Sequence, residues 1–292
     1  MPELPDVAVY IDRLSQRVVG RRLEGVRLLN PFLLRTAVPP ITAAVGRTVQ
    51  GVERIGKRIV LALEGELFVV IHLMIAGRLQ WLAPGKSTAR NALAFFAFDV
   101  GTLCLTEAGS KRRASLHVVQ GRDALEALDA GGIDVLAATP EAFAARLVLE
   151  NHTLKRALTD PRLFSGIGNA YSDEILHRAR LSPVALTRAL DAAQIARLHE
   201  AAQSTLREWT ERLSREAGDW PTKVTAFHPQ MAVHGRYRQP CPVCGAPVQR
   251  IVYAENETNY CARCQTGGKL LADRALSRLL KANWPKSIDD LP

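Results

Sequence analysis

Cys241-Pro242-Val243-Cys244 and, after the sixteen residues 245–260, Cys261-Ala262-Arg263-Cys264 form two C-x-x-C pairs in the last fifth of a 292-residue chain. This is the spacing of a zinc ribbon, in which two knuckle turns each give two thiolates to one tetrahedral zinc ion. Ile251 to Tyr253 and Asn259 to Tyr260 supply strands for a hairpin between the knuckles. Four thiolates close the coordination sphere, so one ion of this kind is structural and leaves no position for a substrate. An iron–sulfur centre or a chance set of thiols is the alternative reading. No basic and apolar leader is visible at the N-terminus, which favours metal binding over disulfides and places the protein in the cytosol. Cys104 lies in an apolar, strand-like run and reads as core.

Working back from the ribbon, a loop over 219–231 carries Trp220, Pro221 and Lys223, and Gly218 ends a long amphipathic helix from about Asp191 to Glu216. Helical periodicity begins at Pro140, after a loose Ala/Gly/Asp connection over 124–139. Upstream the pattern changes period. Val49 to Ile55, Arg58 to Leu63, Leu67 to Leu73, Ala92 to Phe98 and Leu103 to Thr106 are short β-type runs separated by glycine-bearing turns, as in a sandwich or barrel. A leading helix starts near Asp6, its expected N-cap, with Val7, Tyr10, Ile11, Leu14 and Val18 on one stripe and Gly20 as its stop. The expected architecture is therefore multidomain α+β. It comprises a β domain with a leading helix over 1–123, a linker over 124–139, helices over 140–232, the ribbon over 233–266 and a tail over 267–292 with a short helix near Ala272 to Lys281.

A formal charge of +9 and a pI near 9.6 favour a polyanionic partner, although many basic proteins bind no nucleic acid. The longest apolar runs are too short for a transmembrane helix, so no membrane partner is expected.

Two further segments carry chemistry. Phe164-Ser165-Gly166-Ile167-Gly168-Asn169-Ala170-Tyr171 lies between helices, where Gly166 and Gly168 allow a tight turn and backbone amides could grip a phosphate; a plain helix–helix turn capped by Asn169 is the alternative. The chain opens Met1-Pro2-Glu3-Leu4-Pro5-Asp6. Removal of Met1 leaves Pro2 as a secondary amine, partly neutral and nucleophilic near its ordinary pKa of about 8, with Glu3 beside it as acid or base. Taken alone, a proline at this position is more simply one that is merely tolerated.

Together these features resemble the bacterial formamidopyrimidine-DNA glycosylase and endonuclease VIII (Fpg/Nei) family. The opening PELPD, Gly56-Lys57, His72-Leu73, Gly166-Ile167-Gly168-Asn169 with Glu174, and Val233-His234-Gly235-Arg236 before the ribbon follow the family's order and spacing. The resemblance implies an N-terminal β-sandwich, a helix-two-turn-helix domain and a zinc ribbon. It also implies a bifunctional DNA glycosylase and AP lyase, probing DNA with damaged bases or abasic sites as a monomer in the cytoplasm at the nucleoid. By the same resemblance, Pro2 attacks the anomeric carbon of a flipped nucleotide, Glu3 protonates the sugar ring oxygen, and Lys57, His72, Asn169 and Lys155 hold phosphates. Ile75 and Arg112 match positions that fill the void left in the duplex.

The departures are specific. The ribbon arginine of the family is Asn256 here, with Arg250 on the other strand as an alternative source of charge. The third void-filling position is Ala114 in place of an aromatic residue. Position 8, where many relatives have a glutamate near the lesion, is Ala8, which puts 8-oxoguanine specificity in doubt. Asn256 and Ala114 motivate a second reading, a non-catalytic lesion- or structure-specific DNA-binding protein of the same fold. A zinc-ribbon RNA-binding or transcription-related protein is a third, and leaves the N-terminal matches unexplained.

Overall fold

Glu3, not Asp6, caps the leading helix α1 (Leu4–Val18). Pro5 fits the first turn because a helix needs no N–H there, and this moves Asp6 to the third position. There its carboxylate accepts the Glu3 N–H at 2.9 Å while the Glu3 side chain accepts the Asp6 N–H, a reciprocal capping box. Val7, Tyr10, Leu14 and Val18 form the expected stripe, and all four are fully buried.

This computed structural model describes every residue except 87, 110, 254, 255, 282, 283, 291 and 292. It divides into two units, residues 1–130 with 209–225 and residues 131–208 with 226–292. Among the described residues no helix is long and apolar enough to cross a membrane.

In the first unit, eight strands follow: β1 (Gly25–Leu28), β2 (Val49–Ile55), β3 (Arg58–Leu63), β4 (Leu67–His72), β5 (Gly77–Leu82), β6 (Ala92–Phe98), β7 (Gly101–Glu107) and β8 (Ser115–Gln120). They make two antiparallel sheets, ordered β1-β6-β7-β5 and β2-β3-β4-β8. Ile59, Leu61, Val69 and Ile71 from one sheet meet Leu79, Phe96, Leu103 and Leu105 from the other in a single core that also takes in the α1 stripe. This is the expected sandwich. The outer face of the second sheet buries Val60, Phe68 and Val70 under Leu125 of α2 (Arg122–Glu126), which explains why β3 and β4 are apolar at almost every position. Strands β1, β5 and β8 were not among the expected runs. They interleave Arg27, Arg78, Gln80 and His117 with their apolar residues, so they depend on cross-strand partners more than on their own composition.

Residues 209–225 join this unit through the far end of the long helix and its loop. Arg13 donates to the Ser214 and Gly218 carbonyls, Arg17 donates to the Asp219 carbonyl, and the Trp220 indole donates to the Leu79 carbonyl at 3.0 Å.

The second unit begins with α3 (Pro140–Leu147), whose Thr139 hydroxyl accepts the Ala142 N–H. Helices α4 (Leu154–Thr159) and α5 (Asn169–Arg178) flank the glycine turn, and α6 (Ala192–Ala217) opens with Asp191 and Gln194 in reciprocal side-chain to backbone bonds. The ribbon strands β9 (Gln249–Tyr253) and β10 (Asn256–Tyr260) pair with Asn256 opposite Tyr253. The helices α7 (Ala262–Thr266) and α8 (Arg274–Leu280) complete the chain. The segment after residue 266 packs on the ribbon: Leu270 and Ile288 share a core with Val233, Val248 and Tyr260, the Tyr260 hydroxyl accepts the Leu271 N–H, and Asp273 accepts the Val252 N–H. The tail is thus part of the ribbon's fold.

Candidate functional site

Strand register gathers the first group of residues at one end of the sandwich. Gly56 and Lys57 are the two-residue turn between β2 and β3, with Gly56 at φ 59, a conformation glycine adopts without strain. The adjacent Arg58 pairs with His72 at the end of β4, and His72 pairs with Ser115 at the start of β8. The segment from Leu73 to Gly77 then turns back, with the Gly77 N–H donating to the Leu73 carbonyl at 2.9 Å. A β-carbon on Gly77 would lie 2.2 Å from that carbonyl oxygen, so this tight turn requires glycine. At the crest of the turn Ile75 is 50% exposed.

Across from it, Gly77 pairs with Glu107, the last residue of β7. The Glu107 carboxylate accepts the N–H groups of Arg113 and Ala114 at 2.9 and 3.0 Å, pinning the loop that presents Arg112 to solvent. Ala114 is buried in the sandwich core. Lys57, His72, Ile75 and Arg112 are therefore brought together by antiparallel pairing, although 55 residues separate the first from the last.

The N-terminus belongs to the same unit. Pro2 and Glu3 are buried, and burial lowers the pKa of the Met1 amine below its ordinary 8.0; Glu3 and Asp6 oppose the shift, while Arg78 and Lys57 reinforce it. Arg78 is a residue that motif reading passed over. Its guanidinium donates to the carbonyls of Val224, Gly77 and Ile75, so it ties the loop after α6 to the turn carrying Ile75. Its only sequence signal is a lone arginine in a short, weakly apolar strand. His72 is held neutral, its pKa pushed down to about 4 mainly by burial and further by Arg58, Lys57 and His117. Its imidazole therefore has a neutral hydrogen bond to offer, not a charge.

Burial pushes the Asp6 carboxyl up to about 7, against the opposing Glu3 N–H. Because the folded state holds this proton more tightly than the unfolded chain, the associated stability is full below about pH 4 and is lost as pH rises through about 7. Replacing Asp6 with Asn keeps an oxygen acceptor for Glu3 and removes the titration. The melting temperature of D6N is expected to fall less than wild type between pH 4.5 and 8; equal slopes would refute this account.

In the second unit, Asp173 and Glu174 of α5 organise a buried polar network. The Asp173 carboxylate accepts the Lys155 ammonium at 2.5 Å, the His234 ring at 2.8 Å and the Asn259 N–H at 3.1 Å. Glu174 accepts three successive N–H groups, those of Ala232, Val233 and His234. Lys155, which the resemblance assigned to a phosphate, spends its charge on Asp173 and its remaining reach on the Asn169 carbonyl at 2.6 Å. Asn169 is the first residue of α5 and not its cap; its side-chain amide donates to the Glu257 carbonyl in β10 at 2.9 Å, joining the helical turn to the ribbon. Asn256 is exposed beside it at the start of β10. Arg250 lies in β9, where it pairs with Glu257.

The four cysteine sulfurs lie within 4.8 Å of one another, with Cys241 to Cys264 at 3.9 Å and Cys244 to Cys261 at 3.3 Å. Sulfurs about 2.3 Å from one tetrahedral zinc are about 3.8 Å apart, so Cys241, Cys244, Cys261 and Cys264 fit a single structural zinc ion. His177, one helical turn after Asp173 on α5, places Nε2 3.3 Å from the Cys241 sulfur. Cys104 is buried in the sandwich, where desolvation pushes its thiol up to about 11.

Three family models match in chain order: the formamidopyrimidine-DNA glycosylase N-terminal domain over residues 1–118, the formamidopyrimidine-DNA glycosylase H2TH domain over 133–216, and the zinc finger found in FPG and IleRS over 238–267. Formamidopyrimidine-DNA glycosylase of Chloroflexus aurantiacus is 33% identical over 273 residues, 91% of this chain and 98% of that protein. The chain belongs to the formamidopyrimidine-DNA glycosylase family. An uncharacterized formamidopyrimidine-DNA glycosylase-like protein of Mycobacterium tuberculosis is 42% identical over 151 residues, 51% of this chain and 94% of that protein. Lactococcus lactis Fpg, solved in complex with abasic-site DNA, shares the fold with a TM-score of 0.81 at 22% identity, covering 90% of this chain and 99% of that one.

Proposed function

We propose that this chain excises a damaged base from DNA and then nicks the strand, acting in the cytosol at the nucleoid on damaged-base or abasic DNA. The observation that carries the reading is the N-terminus: Pro2 is buried beside Glu3, and burial lowers the pKa of the adjacent Met1 amine. With Met1 removed, the Pro2 nitrogen attacks the anomeric carbon of the flipped nucleotide as the bond to the base breaks. Glu3 gives a proton to the ring oxygen, the ring opens to a Schiff base, and loss of the 2′ proton expels the 3′ phosphate. Lys57, His72, Asn169 and Arg112 then serve the DNA, with Ile75 and Arg112 entering the vacated space. The domain roles follow: 1–123 carries the chemistry, while 140–232 and the ribbon hold the duplex.

Borohydride trapping on duplex DNA with an abasic site tests this reading. A covalent adduct from Met1-processed protein is expected, and its absence where binding is demonstrable would leave the non-catalytic binder as the function. Glu3→Gln separates acid from cap, since glutamine can still accept the Asp6 N–H. Base excision by E3Q is expected to fall about 10²- to 10⁴-fold with little change in melting temperature. Unaltered excision would remove Glu3 from the mechanism.

Asn256→Arg restores a cation at the hairpin strand end. It should tighten binding and steepen the slope of log affinity against log salt by about 0.9, the increment for one added phosphate contact. An unchanged slope would mean that this ribbon engages DNA through other residues.

A further inference from the structure

We infer that Tyr237, Arg238 and Arg250 form a phosphate-gripping surface on the ribbon, supplying the contact that Asn256 does not; the inference rests on the DNA-processing reading above. The Arg250 guanidinium lies 4.2 Å from the centre of the Tyr237 ring and that of Arg238 lies 5.2 Å from the same ring. Stacking on an aromatic ring orients a guanidinium while leaving its N–H groups free to donate in the ring plane.

Arg238 is the telling residue. It is exposed and sits at φ 66, a left-handed conformation that strains any residue with a β-carbon and suits glycine. Its backbone is committed to the first knuckle, with its N–H donating to the Val248 carbonyl at 2.8 Å. Among the described residues its guanidinium makes no hydrogen bond or ion pair. Its contact with the Tyr237 ring orients the guanidinium but leaves its donors without an acceptor among the described residues, so they are available to a group outside the chain.

The charge balance says what that is. One carboxylate stands against the two guanidinium groups, and only Arg250 reaches it: Glu257 accepts from Arg250 at 3.0 Å, and its other oxygen is engaged by the Asn259 amide at 2.8 Å. One positive charge is left over, on planar donors suited to the paired oxygens of a phosphodiester. The same Glu257 offers its carbonyl to Asn169. The stack therefore continues directly from the first residue of α5, and a DNA backbone held at Asn169 runs on to Arg250 and Arg238.

The test uses the full zinc-loaded chain and a duplex carrying an abasic-site analogue, with affinity measured by fluorescence anisotropy across a salt series. Arg238→Gly should weaken binding and reduce the magnitude of the salt slope by about 0.9, with a melting temperature equal to or above that of wild type because the strained conformation is relieved. Arg250→Gln should reduce the slope similarly, the double variant by about twice as much, and Arg238→Lys should keep the wild-type slope. A double variant with the wild-type slope overturns the proposal and leaves the glycosylase reading intact. So does a result in which Tyr237→Ala weakens binding while the arginine variants do not, since that signifies base stacking on the ring. Wild-type protein that neither binds this duplex nor traps on abasic DNA overturns both.

Discussion

Protein that keeps Met1 is expected to form no borohydride-trapped adduct with abasic DNA, while protein from which Met1 has been removed is expected to form one. In the first, the Pro2 nitrogen is part of a peptide bond and its lone pair is delocalised into the carbonyl, so it cannot attack carbon. In the second it is a secondary amine at a buried position, able to attack carbon in its neutral form. The difference in trapping should be at least about 10³-fold, the scale of losing a nucleophile. Mass spectrometry of the N-terminus assigns each preparation, and both forms should bind a non-reactive abasic analogue. Equal trapping by both would place the nucleophile on another residue.

Loss of the zinc site is the second large effect. Cys261→Ser, or chelation of zinc from wild-type protein, is expected to unfold the ribbon and to weaken DNA binding by roughly 100-fold. The ribbon's apolar core is small, built around Val233, Val248 and Tyr260 with Leu270 and Ile288 from the tail. Structural zinc supplies about 10–16 kcal/mol in isolated zinc-finger peptides, as much as the whole stability of an ordinary domain. Burial pushes the Cys261 and Cys264 thiols upward, the latter to about 11, so these two keep their protons in the metal-free cluster. Zinc must displace those protons to bind, and its retention should weaken as pH falls. Near-ultraviolet circular dichroism and a zinc dye report the loss of structure and metal; unchanged DNA affinity after complete zinc loss would contradict the prediction. His177, reaching the Cys241 sulfur from α5, carries the disturbance into the helical turn.

Features written in short, local codes were legible before any coordinates. The four cysteines announce the ribbon because two C-x-x-C pairs are a chemical requirement of the metal, and the apolar runs announce β3, β4, β6 and β7 because those strands are buried on at least one face. The family was legible for the same reason. Strands β1, β5 and β8 were not, since their alternation is broken by arginines, a glutamine and a histidine that only cross-strand neighbours accommodate. The cap of α1 was misplaced by three residues because Asp6 reads as a cap until Pro5 is seen occupying the first turn.

Sequence alone determined the metal centre, the order of the β, helical and ribbon segments, and the family. Long-range pairing decided what each site residue is near and how much charge it has to give. Antiparallel register set Lys57, His72 and the Ile75 turn at one end of the sandwich; the buried Asp173 carboxylate drew Lys155 inward; and Glu257 linked Asn169 to Arg250 and the exposed Arg238. A charge in a sequence is only a valence, and its partner, a buried carboxylate or a phosphate from outside, is settled by which distant segments desolvate it.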